Sequence, residues 1–267
     1  MKPRISISMA IWLAVSIIMF NSMPPVYGLE EEPLGIVSGT AAIKDDISEA
    51  TRNYFSGYDV ELNENTRFQY ELKNCESNND KAIFELTVIN EENRMITADS
   101  MLYIGNREAA EDLYATACKA LFSTRDNGYK DVDFPPAGVS GNEITVHARA
   151  VYYKYYVGIL ILIQPQGAYF TYQKNTSCSV SKIQVLYGAS GAKYTYPGGS
   201  MYSLYDEYTA WITKYNPVQY TAYSNYSPYN SNYALDTDIG MTGSHYLTFW
   251  ITVDGIEHSG TVPLIGV

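Results

Sequence analysis

Imidazole is the side chain best matched to acid–base work and metal binding near neutral pH, so the three histidines come first. His147, His245 and His258 are far apart in sequence and form no HExxH or comparable pair. His147 lies in an alternating segment on the face opposite Val146, which predicts a solvent-side strand residue. His245 precedes the strongest strand signal, and His258 sits in the final hairpin beside Glu257. The three cysteines, Cys75, Cys118 and Cys178, make no CxxC, which argues against structural zinc. Gly188-Ala189-Ser190-Gly191 is one residue short of a nucleophile elbow, and neither a P-loop nor GxGxxG occurs. Asp236-Thr237-Asp238-Ile239-Gly240 has the alternating carboxylates and glycine that open a calcium loop, but no later glutamate closes it. Asp236 and Asp238 are therefore weak calcium candidates, and a solvated acidic turn is the preferred reading. A serine, histidine and aspartate can still meet in space as a triad, which sequence order does not exclude. The sequence points to no catalytic residue and implies no cofactor; the expectation is a non-enzymatic protein.

What it carries instead is tyrosine. Eleven tyrosines lie between Tyr194 and Tyr233, and Tyr220, Tyr223, Tyr226 and Tyr229 recur every third residue among Ser, Asn, Pro and Thr. A period of three is neither the two of a strand nor the 3.6 of a helix, and suits an extended surface loop. Tyrosine presents a flat apolar face and a polar hydroxyl on a side chain with few rotors. Tyr220, Tyr223, Tyr226, Tyr229 and Tyr233 are thus the candidate binding residues, expected mostly on the surface. Such a surface can self-associate through β edges or stack on sugar rings, so the expected partners are further copies of the protein or a polysaccharide.

The leader sets the compartment. Lys2 and Arg4 precede an apolar run from Met9 to Phe20, and Val26-Tyr27-Gly28 follows Pro24-Pro25. That order predicts a secretory signal peptide over residues 1–28, cut after Gly28. The alternative, an uncleaved anchor, needs roughly 20 apolar residues, more than this run supplies. No membrane span is expected after cleavage. Removing the leader takes two basic residues from 18, leaving 16 against 29 acidic ones, a charge of −13. So acidic a chain is a poor nucleic-acid binder. Export favours disulfides, and a bridge between Cys75 and Cys118 is expected, with Cys178 left unpaired within the chain.

Residues 29–40 read as a flexible leader. Asp45 caps a helix over Asp46–Tyr54, and Asn106 caps another over Arg107–Phe122, where Ala110, Leu113, Ala117 and Leu121 make an apolar stripe. Thr66–Lys73, Lys81–Asn90, part of Arg94–Ile104 and Glu143–Ala148 alternate as strands. Val151–Gln164 reads as one strand buried on both faces at the centre of a sheet. Pro165-Gln166-Gly167 breaks the pattern, and beyond it only strand and turn signals occur: Ala168–Tyr172, Ser179–Tyr187, Tyr208–Tyr215, Val218–Tyr223, and Tyr246–Val253 with Asp254-Gly255 leading into Ile256–Leu264. Tyr152, Tyr153, Tyr155, Tyr156, Tyr169, Tyr172 and Tyr187 are expected as half-buried strand residues. Asn175-Thr176-Ser177 and Asn225-Tyr226-Ser227 match the N-glycosylation pattern. The expected fold is an α+β domain over residues 41–165 followed by an all-β, sandwich-like domain over 166–267. The expected function is that of a secreted cell-surface or envelope protein using its tyrosine-rich β surface for assembly or adhesion. The alternatives are a secreted glycan-binding module and, behind it, a secreted hydrolase with an unrecognised site.

Overall fold

Strand alternation runs further through the chain than any helical pattern, and strands dominate both halves. The computed structural model describes residues 37–39, 49–63, 65–74, 80–115, 142–157, 160–174, 178–195, 201–229, 233–236 and 244–264. All of them belong to one compact unit, Leu34–Val267. Twelve strands are hydrogen-bonded, antiparallel throughout. They are β1 (Val37–Gly39), β2 (Arg67–Asn74), β3 (Lys81–Glu92), β4 (Met95–Asn106), β5 (Asn142–Val157), β6 (Leu160–Lys174), β7 (Val180–Thr195), β8 (Met201–Tyr215), β9 (Tyr223–Asn225), β10 (Tyr233–Asp236), β11 (Ser244–Val253) and β12 (Ile256–Pro263). The order is β1-β2-β3-β4-β5-β6-β10-β7-β11-β12, with β8 on β7 and β9 on β6. Helix α1 (Glu49–Ser56) precedes β2, and α2 (107–115) follows β4.

The sheet doubles over into two layers. Ile144, Val146 and Ala148 of β5 and Phe170 of β6 share one core with Val185 and Tyr187 of β7 and Phe249 of β11. At the seam β12 returns to β2 and β3. Lys73 Nζ donates to the Thr261 carbonyl at 3.3 Å. A Cβ on Gly260 would lie 2.0 Å from Glu85 Oε1, so a larger residue there would displace the Glu85 carboxylate. A second core lies outside this sandwich, where Phe55 of α1 and Leu113 of α2 cover Phe68, Phe84 and Tyr103 of β2–β4. β3 and β4 are consequently buried on both faces, between helices and sandwich core.

The expected α+β domain followed by an all-β domain is therefore corrected: the described residues are mostly antiparallel β, with no sizeable α+β N-terminal domain among them. The helical signals were local and real. Asn106 Oδ1 accepts from the Glu108 amide at 2.8 Å, the expected cap. As far as they are described, the helices cover one face of a sheet whose strands reach 16 residues. Val151–Gln164 is likewise not one central strand. It spans the end of β5 and the start of β6, with Val157 opposite Leu160. A continuous apolar run does not reveal where a hairpin reverses, and Tyr156, within that run, is 63% exposed. Pro165-Gln166-Gly167 lies inside β6, where the register against β5 shifts by one residue between Val151 and Tyr152. Val218–Tyr223 is a turn leading into the short β9. Asp254 and Gly255 both have positive φ, 52° and 82°, and close the β11–β12 hairpin as expected.

Candidate functional site

Cross-strand pairing builds a polar floor on the outer face of β5 and β6. With Ile144, Val146, Ala148 and Ala150 turned to the core, Thr145, His147 and Arg149 must face outward. Their partners across the ladder are Gln173, Thr171 and Tyr169. β4 adds Asp99, which lies directly opposite Arg149. One wall is the turn after α1, where Tyr58 and Asp59 follow Gly57 and Asp59 takes a φ of 59°. The other wall is the segment Tyr220–Tyr226. Between them lies an open groove of about 550 Å³.

The tyrosine wall shows what the period of three means. An extended chain alternates its side chains every two residues, so tyrosines spaced by three fall on opposite faces in turn. Tyr220 and Tyr226 face the groove, 74% and 55% exposed. Tyr223 and Tyr229 turn inward and pack against the main core, Tyr223 against Phe170 at 5.3 Å and Tyr229 against Tyr208 at 5.9 Å. Only half of the spaced set is thus surface. The wall is pinned to β6: the Tyr220 amide donates to the Tyr172 carbonyl at 3.0 Å, and Ser224 pairs with Tyr169. Gly167, with φ 136°, makes room for it; a Cβ there would sit 2.5 Å from the Asn225 carbonyl oxygen and 2.7 Å from Tyr226 Cα.

Beneath the groove is a buried charged cluster. Asp99 Oδ1 accepts from His147 Nε2 at 2.7 Å and from Arg149 Nε at 2.6 Å. Arg149 also donates through Nη2 to the Asp59 carbonyl at 2.5 Å. Its guanidinium lies over the Tyr169 ring, 5.4 Å from the centroid. Asp99 Oδ2 is buried without a hydrogen bond. The His147 ring is edge-on to Tyr58 and Tyr169 at 6.0 and 5.7 Å. Burial holds the Tyr169 hydroxyl up at about 12, with Asp99 and Asp59 adding to it and Arg149 opposing, so it stays protonated. Burial also raises Tyr58, whose oxygen accepts from Gln173 Nε2 at 2.9 Å.

The expectation for His147 is half corrected. Its face is as expected, opposite Val146, but it is 2% exposed. Helix α1 and the tyrosine segment cover that face, and neither is adjacent to β5 in sequence. No hydroxyl, thiol or second histidine among the described residues is hydrogen-bonded to His147; the Thr171 hydroxyl lies across the ladder from it without such a bond. His245 is enclosed in the core. Tyr187 Oη donates to its Nε2 at 2.9 Å, Tyr152 stacks edge-on at 4.4 Å, and burial depresses its pKa to about 3.

No family model, curated protein or solved structure matches the chain. The groove must speak through its own chemistry.

Of the remaining candidates, Tyr233 and Asp236 lie on β10 between β6 and β7. Asp238, Cys75, Cys118 and the leader 1–28 lie outside the described residues. Cys178 is buried in the main core. Among the described residues no three His, Cys, Asp or Glu side chains converge as a metal site, and no helix is long and apolar enough to cross a membrane. Sequence reading missed Tyr58, Asp99, Arg149 and Thr171. Nothing in the sequence marks them, because strand pairing and the covering turn bring them together.

Proposed function

We propose that the protein is exported, acts outside the cell or at its surface, and binds a saccharide in this groove without transforming it. The observation that carries the proposal is the division of labour within the groove. Tyrosine rings form its walls, and Thr145, His147, Thr171 and Gln173 line its floor. A pyranose has the matching form, with flat C–H faces for rings and hydroxyl edges for polar groups. The leader's order of basic, apolar and small residues supports export. Titration calorimetry of the secreted protein against a panel of soluble oligosaccharides is the test. Replacing Tyr220 and Tyr226 together by alanine should weaken retention about tenfold or more while leaving the melting temperature in place. A panel with no binder, or a double variant that binds as before, rejects the proposal.

A second reading, self-association, is favoured by a different surface. On the outer face of β8 and β11, Trp211 and Trp250 stack at 5.6 Å with 18° between their planes, and Tyr205 and Tyr215, further along β8, are exposed. Size-exclusion chromatography across a concentration series tests it. Assembly that persists after Trp211→Ser and Tyr215→Ser would remove this face from consideration.

A further inference from the structure

We infer that the groove selects a neutral, hydroxyl-bearing saccharide over an acidic one, and that His147 is the floor residue that meets a ligand hydroxyl. This rests on the saccharide reading above and adds to it the class of sugar and the atom that recognises it.

Hydrogen-bond polarity fixes the tautomer of His147. A carboxylate can only accept, so the contact of His147 Nε2 with Asp99 requires the proton on Nε2. In the neutral ring, Nδ1 is then the acceptor. Nδ1 makes no hydrogen bond among the described residues and is not among the polar atoms sealed from solvent without a partner. The ring itself lines the groove. A nearly buried acceptor at the floor of an open groove has one kind of complement, a donor on the ligand, and a sugar hydroxyl is such a donor. A ligand carboxylate placed at that atom would set acceptor against acceptor.

Charge around His147 points the same way. Facing His147 from β4 is Asp99; from β5, Arg149; from the turn after α1, Asp59; from β6 and the tyrosine wall, no charged side chain that lines the groove. With the imidazole neutral, two carboxylates stand against one guanidinium. The guanidinium is already committed, to Asp99 at 2.6 Å, to the Asp59 carbonyl at 2.5 Å and to the face of Tyr169. Among the described residues no free cation lines the groove to receive an anionic sugar, and the unbalanced carboxylate repels one.

The experiment needs no variant at first. The wild-type protein is titrated with neutral hexose oligosaccharides and with the uronate oligosaccharides of the same linkage, at low and moderate salt. The neutral series should bind at least tenfold more tightly, and the gap should narrow as salt screens the repulsion. Equal affinity, or a preference for the uronate, overturns the inference while leaving the saccharide reading standing. Absence of binding to either series overturns both. Two variants refine the result. Asp59→Asn removes a groove-wall carboxylate at a φ that asparagine tolerates, so it should fold; the ratio of neutral to uronate affinity should narrow, and an unchanged ratio would overturn the charge argument. His147→Phe keeps an aromatic ring and removes both nitrogens, the Nε2 donor to Asp99 included. With its fold verified by melting, it should lose about tenfold in neutral binding, and unchanged affinity would overturn the role of Nδ1.

Discussion

Tyr187 and Tyr226 put the same side chain to opposite uses. Tyr187 is 0% exposed, hydrogen-bonded to His245, with its hydroxyl pKa driven up by burial. Tyr226 is 55% exposed, on the groove wall. Around Tyr187, Tyr152 and Tyr208 fill the space between the two layers. Around Tyr226, Tyr220 and Tyr169 frame open volume. The two sets sit on opposite faces of one doubled sheet. A tyrosine-rich composition therefore does not by itself mean a tyrosine-rich surface; strand parity decides which rings pack and which are left to meet a ligand.

The comparison breaks most directly on paired truncations. Tyr187→Ala removes a fully buried ring and strands the His245 nitrogen, so it should cost about 3–5 kcal/mol, as other buried aromatic truncations do. Tyr226→Ala should cost about 0.5 kcal/mol, the scale of surface substitutions. Urea denaturation of both variants checks the contrast. Similar losses at the two positions would mean that Tyr226 is structural and the groove wall is core.

Acid stability sharpens it further, because two buried groups act in opposite directions. The folded protein holds His245 at about 3, below its unfolded value of 6.5, so its contribution is complete above 6.5 and is lost as pH falls. Glu85 is shifted the other way, to about 7 from 4.5, by burial that Lys73 offsets only in part and Glu71 reinforces. Its contribution is complete below 4.5 and is lost as pH rises toward 7. Between pH 6.5 and 4.5 each amounts to about 3 kcal/mol, at 1.36 kcal/mol per pH unit, and they oppose one another. The wild type should therefore be nearly level across that window. Glu85→Gln should expose the histidine, and stability should then fall by about 3 kcal/mol on acidification. A variant as level as the wild type would show that His245 is not the acid-sensitive group.

Gly167 joins the two regions, since its missing side chain lets the tyrosine wall lie against β6. Gly167→Ala should cost about 1–3 kcal/mol through overpacking and a strained φ. It should also displace Tyr226 and abolish saccharide retention. A variant that loses stability yet retains full affinity would separate the wall from the site.

What could be seen in advance follows the same division. Local signals were legible: the cap at Asn106, the alternation of β2, β3 and β11, and the Asp254-Gly255 turn each depend on neighbours a few residues away. The sheet's continuity was not, because Val157 and Leu160 reverse direction inside an unbroken apolar run. The site was legible only by one wall. Tyr220 and Tyr226 announce themselves by repetition, whereas Asp99 reaches His147 across 48 residues of sequence. Such a contact depends on register, and register on the whole sheet.

The smallest expected effect is also the most discriminating. Tyr220 has a φ of 59°, a left-handed conformation that a bulky residue adopts at a cost of roughly 1–2 kcal/mol. It is 74% exposed, so little burial offsets that cost. Its amide donates to the Tyr172 carbonyl, which fixes the backbone whatever side chain it carries. Glycine would relieve the strain, but it loses about 0.4–1 kcal/mol through the greater freedom of the unfolded chain. Tyr220→Gly should therefore leave stability level or raise it by up to about 1 kcal/mol. If the ring is there to face a ligand, the same substitution should weaken saccharide binding several-fold, so that affinity and stability move in opposite directions. Melting temperature and affinity, measured on one preparation, decide it. A variant that loses stability and affinity together would make Tyr220 a packing residue, and the line drawn between interior and groove tyrosines would have to move.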